Sequence, residues 1–268
     1  MRTRLLDSLT NAEISGYLRR SDVIFLPLGT AEIHGAMPVA CEHVLPLALA
    51  VRMAEKADGL VLPHLAYFYP GATAIGEGSV TVSVTAGVAY LKEICRSLLR
   101  RGFRRQIFLS AHGPAYLTAT VVVREFFEET RCPIAYIDME RQLDRHGATP
   151  TWDDFNKLLW GAYYLLGRLD EIPPDQTPAE RVPYSEATTK LAQAGVTFGH
   201  YYSDEMQHGW WPAHPLTDAE RLARAQEGAR EIERVVDEMD PATIVANLKG
   251  LDDFLKAEVF AKYGGRLP

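Results

Sequence analysis

Two short apolar runs stand out in the first half of the chain. "DVIFLPLG" (22–29) and "RQIFLSAHG" (105–113) are continuously hydrophobic over the length of a strand and then turn at a glycine, the pattern of strands covered on both faces of a parallel sheet. "GLVLP" and "CPIAYID" predict two more strands. Between them, residues 44–57, 86–102 and 115–130 predict helices; in the second, Val88, Leu91, Cys95 and Leu98 recur at three- and four-residue spacing. Strand alternating with helix implies right-handed crossovers, so the expected fold is α/β, a three-layer αβα sandwich around a mostly parallel sheet.

Elsewhere the pattern is less regular. "YFYPGATAIGEGSVTVSVTAG" (67–87) begins as a loop and continues as alternating valines, predicting a β-rich stretch or hairpin that can wall a pocket. From 151 onward helices dominate, interrupted by "EIPPDQTPAE" and by the aromatic "FGHYYSDEMQHGWWPAHP" (198–215). Residues 217–239 read as a charged, amphipathic surface helix.

Composition narrows the function classes. With 268 residues, 47% of them hydrophobic, the chain can bury a sizeable core, and it is read as a single domain over 1–268. A net charge of -7 offers no general attraction to nucleic acid or anionic membranes, so the expected partner is a small-molecule substrate, with no nucleic acid and no membrane. "MRTRLLDSLTNAEI" lacks the apolar core of a secretory signal, and no run approaches the roughly 20 apolar residues of a bilayer span, so the expected location is cytoplasmic. Cys41, Cys95 and Cys132 are widely spaced without a CxxC pair and predict buried thiols.

Candidate chemistry gathers in "GTAEIHGAMPVACEH" (29–43), too irregular in pattern for a helix. In open α/β sheets ligands bind at the carboxyl ends of the strands, where Glu32, His34 and His112 fall. Glu32 and His34 alternate on an extended segment and can point the same way; Glu42 returns to them if Gly35 and Pro38 turn the loop. Carboxylate oxygen together with imidazole nitrogen suits zinc, manganese or iron better than calcium or magnesium. The bland alternative is a set of satisfied polar residues at a loop. A third arrangement, Ser110 as nucleophile with His112, lacks the G-x-S-x-G turn that exposes such a serine.

"LPLGTAEIHGAMPVACEH" resembles the signature of the creatininase (creatinine amidohydrolase) family, Glu-x-His-Gly after a strand, then a proline and an acidic residue four positions on; "GFRRQIFLSAHGPA" resembles the family's second block. The likeness covers roughly residues 20–140. It implies a divalent-metal cofactor, two ions per subunit (zinc, manganese or iron), with Glu32, His34, Glu42 and His112 as ligands and Glu42 as the bridge. It further implies His208, in "QHGWW", as the general acid/base, and a homo-oligomer, commonly a hexamer. The aromatic segments themselves offer Tyr69, Gln207 and Trp210 as expected substrate contacts, with Trp210 and Trp211 either closing over a bound ring or anchoring the loop or a subunit contact.

The chain also departs from the family pattern. The bridging acid is Glu42 where aspartate is usual, the loop before Pro38 is one residue shorter, and Ser110-Ala111 replace Asn-Gly. Creatininase itself has a metal-binding glutamate two residues after the second-block histidine, where Pro114 stands here; Glu205 is the candidate replacement, Glu186 another, and a single-metal site a further alternative. His43 can substitute if Glu42 does not reach. "YPGAT" and "HGPA" look closest to the family branch that opens oxidised inositol rings. The expected function is therefore metal-dependent hydrolysis of a small polar ring, a cyclic amide or an oxidised cyclitol; the alternative is a non-catalytic binding module that has lost part of the metal site.

Overall fold

The computed structural model describes residues 1–174, 185–203 and 208–266. The four predicted strands form one all-parallel sheet: β1 (Val23–Pro27), β2 (Leu60–Val61), β3 (Arg105–Ser110) and β4 (Ala135–Asp138), in the order β2-β1-β3-β4. Register is set by Ile24 opposite Leu60, Phe25 opposite Ile107 and Leu109 opposite Ile137.

Because side chains alternate along a strand, this apolar sheet feeds two cores. Val23, Phe25, Ile107 and Leu109 pack with residues of α2 (Cys41–Lys56), α6 (Trp152–Leu165) and α8 (Asp218–Met239). Ile24, Leu26 and Phe108 pack on the opposite face with α1 (Asn11–Leu18), α3 (Val84–Arg100) and α4 (Tyr116–Thr130). The αβα sandwich is thus realised, with α5 (Met139–Arg145) joining the first of these cores and α7 (Glu186–Gln193) burying no residue. Among the described residues no helix is long and apolar enough to cross a membrane. All three cysteines are free and buried.

Several expectations change. The valine-rich stretch forms no strand: Gly71–Ile75 is a 3-10 turn, the chain runs on without regular structure, and α3 begins at Val84 behind the Ser83 cap. With no neighbouring strand to pair with, its alternation has no ladder to join. The expected irregularity of 29–43 also ends early, since Cys41, Glu42 and His43 are the first turn of α2. Nor is α8 merely superficial. Its apolar side, including Ala225, Ile232, Val235 and Val236, is buried, and it crosses α6 so closely that a Cβ on Gly228 would stand 1.8 Å from the Lys157 carbonyl oxygen.

The sheet order places the candidate chemistry. From β1 the chain crosses through α2 to β2 on one side, whereas from β3 it crosses through α4 to β4 on the other. Neighbouring strands whose connections diverge leave a crevice at their carboxyl ends. The segments after β1 and β3 both open into it.

Candidate metal centre

Four segments converge on that crevice. Leaving β1, the chain passes Gly29, where a Cβ would stand 2.5 Å from His43 Cα, so only a bare backbone lets the start of α2 lie against the strand end. The loop then folds back, the Glu32 N–H donating to the Val39 carbonyl at 2.9 Å. This return carries Glu42 on α2 to the side chains it follows in sequence.

The resulting cluster is buried: Glu32, His34, Glu42 and His112 are all under a tenth exposed. Glu32 Oε1 is 3.1 Å from His112 Nδ1, and Glu32 Oε2 accepts a hydrogen bond from the Thr73 hydroxyl. Glu42 lies between two imidazoles, its Oε1 3.3 Å from His34 Nδ1 and its Oε2 3.6 Å from His112 Nδ1. His112 Nε2 is 3.0 Å from the Tyr69 carbonyl. A carbonyl only accepts, so Nε2 carries a proton, and Nδ1 faces the two carboxylates, protonated between them in the metal-free cluster and able to ligate a cation once that proton leaves.

Electrostatics in the cluster are strained. Burial pushes the Glu42 carboxyl up to about 7; the neighbouring His112 imidazole opposes this and the Glu32 charge adds to it. Burial works to lower His112, yet Glu32 and then Glu42 outweigh it and hold the imidazole at about 10. His34 is held well below the ordinary histidine range by burial first, then by His208 and His112. His34 Nδ1 and Glu42 Oε2 are buried and make no hydrogen bond. Buried polar atoms normally find partners, and two carboxylates with inward-facing imidazole nitrogens are the donor set of a borderline divalent cation. The residues present fit such an ion.

His208 joins the same place. Its ring centroid is 4.7 Å from that of His34 at 87°, and ligand atoms of Glu32, His34, Glu42 and His208 all lie within 4.8 Å of one another. The Tyr202 hydroxyl is 3.2 Å from His208 Nδ1. Among the substrate contacts expected from sequence, Tyr69 contributes its backbone carbonyl to His112, and Trp210 carries the Arg224 guanidinium over its ring at 4.0 Å. Glu205 and Gln207 lie outside the described residues.

The alternatives fare worse. The Ser110 hydroxyl donates to the Leu28 carbonyl at 2.7 Å and accepts from the His112 N–H, while the His112 ring nitrogens face Tyr69 and Glu32; Ser110 is a buried brace between strand ends, not a nucleophile. Glu186 is 81% exposed and paired with Lys190, so it does not enter the buried cluster. Since Glu42 reaches, His43 is not needed in its place; burial first, then His64 and Arg168, lower it to about 4.

Sequence reading missed Thr73, Tyr202 and Trp152. Thr73 sits in "PGATA", whose pocket-wall role was legible although its hydroxyl's target was not. Trp152 opens α6 behind the Thr151 cap and stands edge-on to His208 at 5.4 Å and to His34 at 6.2 Å, while 43% exposed. A half-exposed tryptophan beside buried imidazoles is a lip over the crevice. No local signal marks it, because α6 is remote in sequence from both strand ends.

The family model for creatininase, described as creatinine amidohydrolase, matches residues 7–161. Among curated proteins, the chain is 28% identical to 3-dehydro-scyllo-inosose hydrolase of Thermotoga maritima over 49% of its own length and 43% of that protein's. It is 32% identical to creatinine amidohydrolase of Pseudomonas putida over 34% of its length and 37% of that protein's. The chain thus spans less than half the length of these curated relatives in the matched regions. Among solved structures, a candidate creatinine amidohydrolase of Bacteroides fragilis aligns with a TM-score of 0.67 at 19% identity, covering 92% of this chain and 97% of that one. Structures of creatininase in a manganese form (TM-score 0.59) and of a variant in a zinc-zinc form (0.58) each align at 20% identity, over 96% of this chain and 99% of theirs.

Proposed function

This chain belongs to the creatininase family, and on that premise we propose that it is a divalent-metal-dependent hydrolase that opens a small polar ring, either a cyclic amide or an oxidised cyclitol. The observation that carries the reading is the placement of Glu42 between His34 and His112, one carboxylate oxygen toward each. Glu32 and His112 with Glu42 Oε2, and His34 with Glu42 Oε1, would hold the metal, as one shared ion or two bridged by Glu42. Zinc and manganese are supported by the forms in which fold relatives are known.

When bound, a divalent cation supplies Lewis acidity toward a carbonyl and makes water a nucleophile near neutral pH. The protein's part is positional. Thr73 and Tyr69 fix Glu32 and His112 so that each presents one atom inward. Trp152, with Phe155 packed at 6.1 Å, lines an apolar side of the crevice that suits one face of a flat ring and excludes bulk water. The names of the two curated relatives support both ring classes, and the same reading includes a homo-oligomer, measurable by sedimentation.

Metal analysis of the purified chain, with hydrolysis of creatinine and of 3-dehydro-scyllo-inosose before and after chelation, tests this. We expect bound metal, loss of turnover on chelation and recovery on metal return. Turnover untouched by chelation in a folded, metal-free protein would overturn it; tight ring binding without turnover would favour a binding module instead.

A further inference from the structure

Two His-Gly pairs press backbone against backbone at the cluster. A Cβ on Gly209 would stand 2.4 Å from Gly35 N and 2.6 Å from the His34 carbonyl carbon; one on Gly35 would stand 2.6 Å from the Trp210 carbonyl oxygen. Both glycines have positive φ, +60° at Gly35 and +100° at Gly209, which side-chain-bearing residues rarely adopt. The Ala36 N–H donates to the Trp210 carbonyl at 3.3 Å and closes the contact. The clasp therefore brings together the residue before each glycine, His34 and His208.

The His208 ring is then fixed from several sides. Tyr202 stacks on it with centroids 5.5 Å apart at 23°, and Trp152 meets it edge-on. The Tyr202 hydroxyl lies at Nδ1, the hydrogen-bond arrangement that orients a histidine whose other nitrogen binds metal. The four ligand atoms from Glu32, His34, Glu42 and His208 span no more than 4.8 Å. Donors at about 2.0–2.2 Å from zinc lie up to roughly 4.4 Å apart across the ion, so small movements close these four around one cation.

We propose that His208 is a protein ligand of the cation held by His34 and Glu42, delivered by the paired glycines, instead of a proton carrier outside the coordination shell. The proposal rests on the metal-dependent reading above. With Glu32, it gives that cation a donor set of two imidazoles and two carboxylates, ligand types that zinc accepts.

The test uses the full chain, stripped by chelation and titrated with zinc alone against a chromophoric competitor, then loaded with cobalt(II) for visible absorption. Wild-type protein should take up zinc. His208→Ala and His208→Gln should each weaken zinc binding by about tenfold or more and alter the cobalt band. Gly209→Ala, which leaves the imidazole present but breaks the clasp, should do the same. Circular dichroism confirms folding, and the glutamine variant serves if the alanine variant misfolds. Zinc affinity, stoichiometry and cobalt spectrum unchanged in folded His208 variants, with only activity reduced, would overturn the proposal and leave the metal reading intact. Wild-type protein that binds no zinc or cobalt would overturn both.

Discussion

Glu32 Oε1 lies 3.1 Å from His112 Nδ1, joining the segments that leave β1 and β3. A carboxylate and an imidazole from separate strand ends meet only because these strands are neighbours at the point where their crossovers diverge. Removing either should dismantle one centre. Glu32→Gln and His112→Ala are each expected to lower metal affinity by more than about 100-fold and to abolish ring hydrolysis in parallel, checked by elemental analysis and turnover on the same samples. Loss of activity at full metal occupancy would contradict this.

Thr73 acts one bond further out. Its hydroxyl contacts both Glu32 Oε2 and the Pro70 carbonyl, and the carboxylate is the stronger acceptor for its single proton. Thr73→Val keeps the shape and deletes that donor. Metal affinity should fall by about 10- to 100-fold, with about 1 kcal/mol lost in folding stability, read by competition titration and urea denaturation.

Trp152 touches the imidazoles of the cluster without itself offering a ligand atom. Trp152→Ala leaves every proposed ligand in the chain, so metal affinity should fall far less than in Glu32→Gln, while KM should rise by up to about tenfold, the worth of one aromatic contact, in steady-state assays with whichever ring proves to be the substrate. An unchanged KM would remove the tryptophan from the binding surface.

The α6/α8 crossing makes a prediction about stability alone. Alanine at position 228 improves helix propensity by about 1 kcal/mol, but its Cβ would meet main chain at Lys157 and cannot be relieved by a side-chain rotation. Steric cost should win. Gly228→Ala is expected to destabilise the fold by about 3 kcal/mol or more, measured by urea denaturation. Because α6 carries Trp152 and Phe155, any structure the variant retains should show a displaced lip over the crevice.

At high pH one contributing group is Tyr17, fully buried with its hydroxyl 2.6 Å from the Val23 carbonyl. Burial raises its pKa from 10.0 to about 12. The folded state thus retains a proton that the unfolded chain releases, so this contribution is complete below pH 10.0 and declines as pH rises towards about 12. The loss is about 3 kcal/mol, and Tyr17→Phe should flatten that part of the stability profile in urea denaturation run across the alkaline range.

Much of this was written locally. Short apolar runs mark the four parallel strands, two of them ending in glycine, because strands covered on both faces can be hydrophobic throughout, and the polar residues just beyond β1 and β3 mark the crevice. Alternation misled at 80–84, where period two is visible but no partner strand lies alongside. Proximity in space was settled elsewhere. Whether Glu42 reaches His34, whether Ser110 is a nucleophile or a brace, and whether Trp152 belongs to the site depend on how α2, the Gly71–Ile75 turn and α6 pack around the strand ends. Local sequence sets backbone preference and side-chain chemistry. The few ångströms separating an ordinary buried histidine from a metal ligand are set by long-range contacts, here above all by glycines where one backbone rests on another.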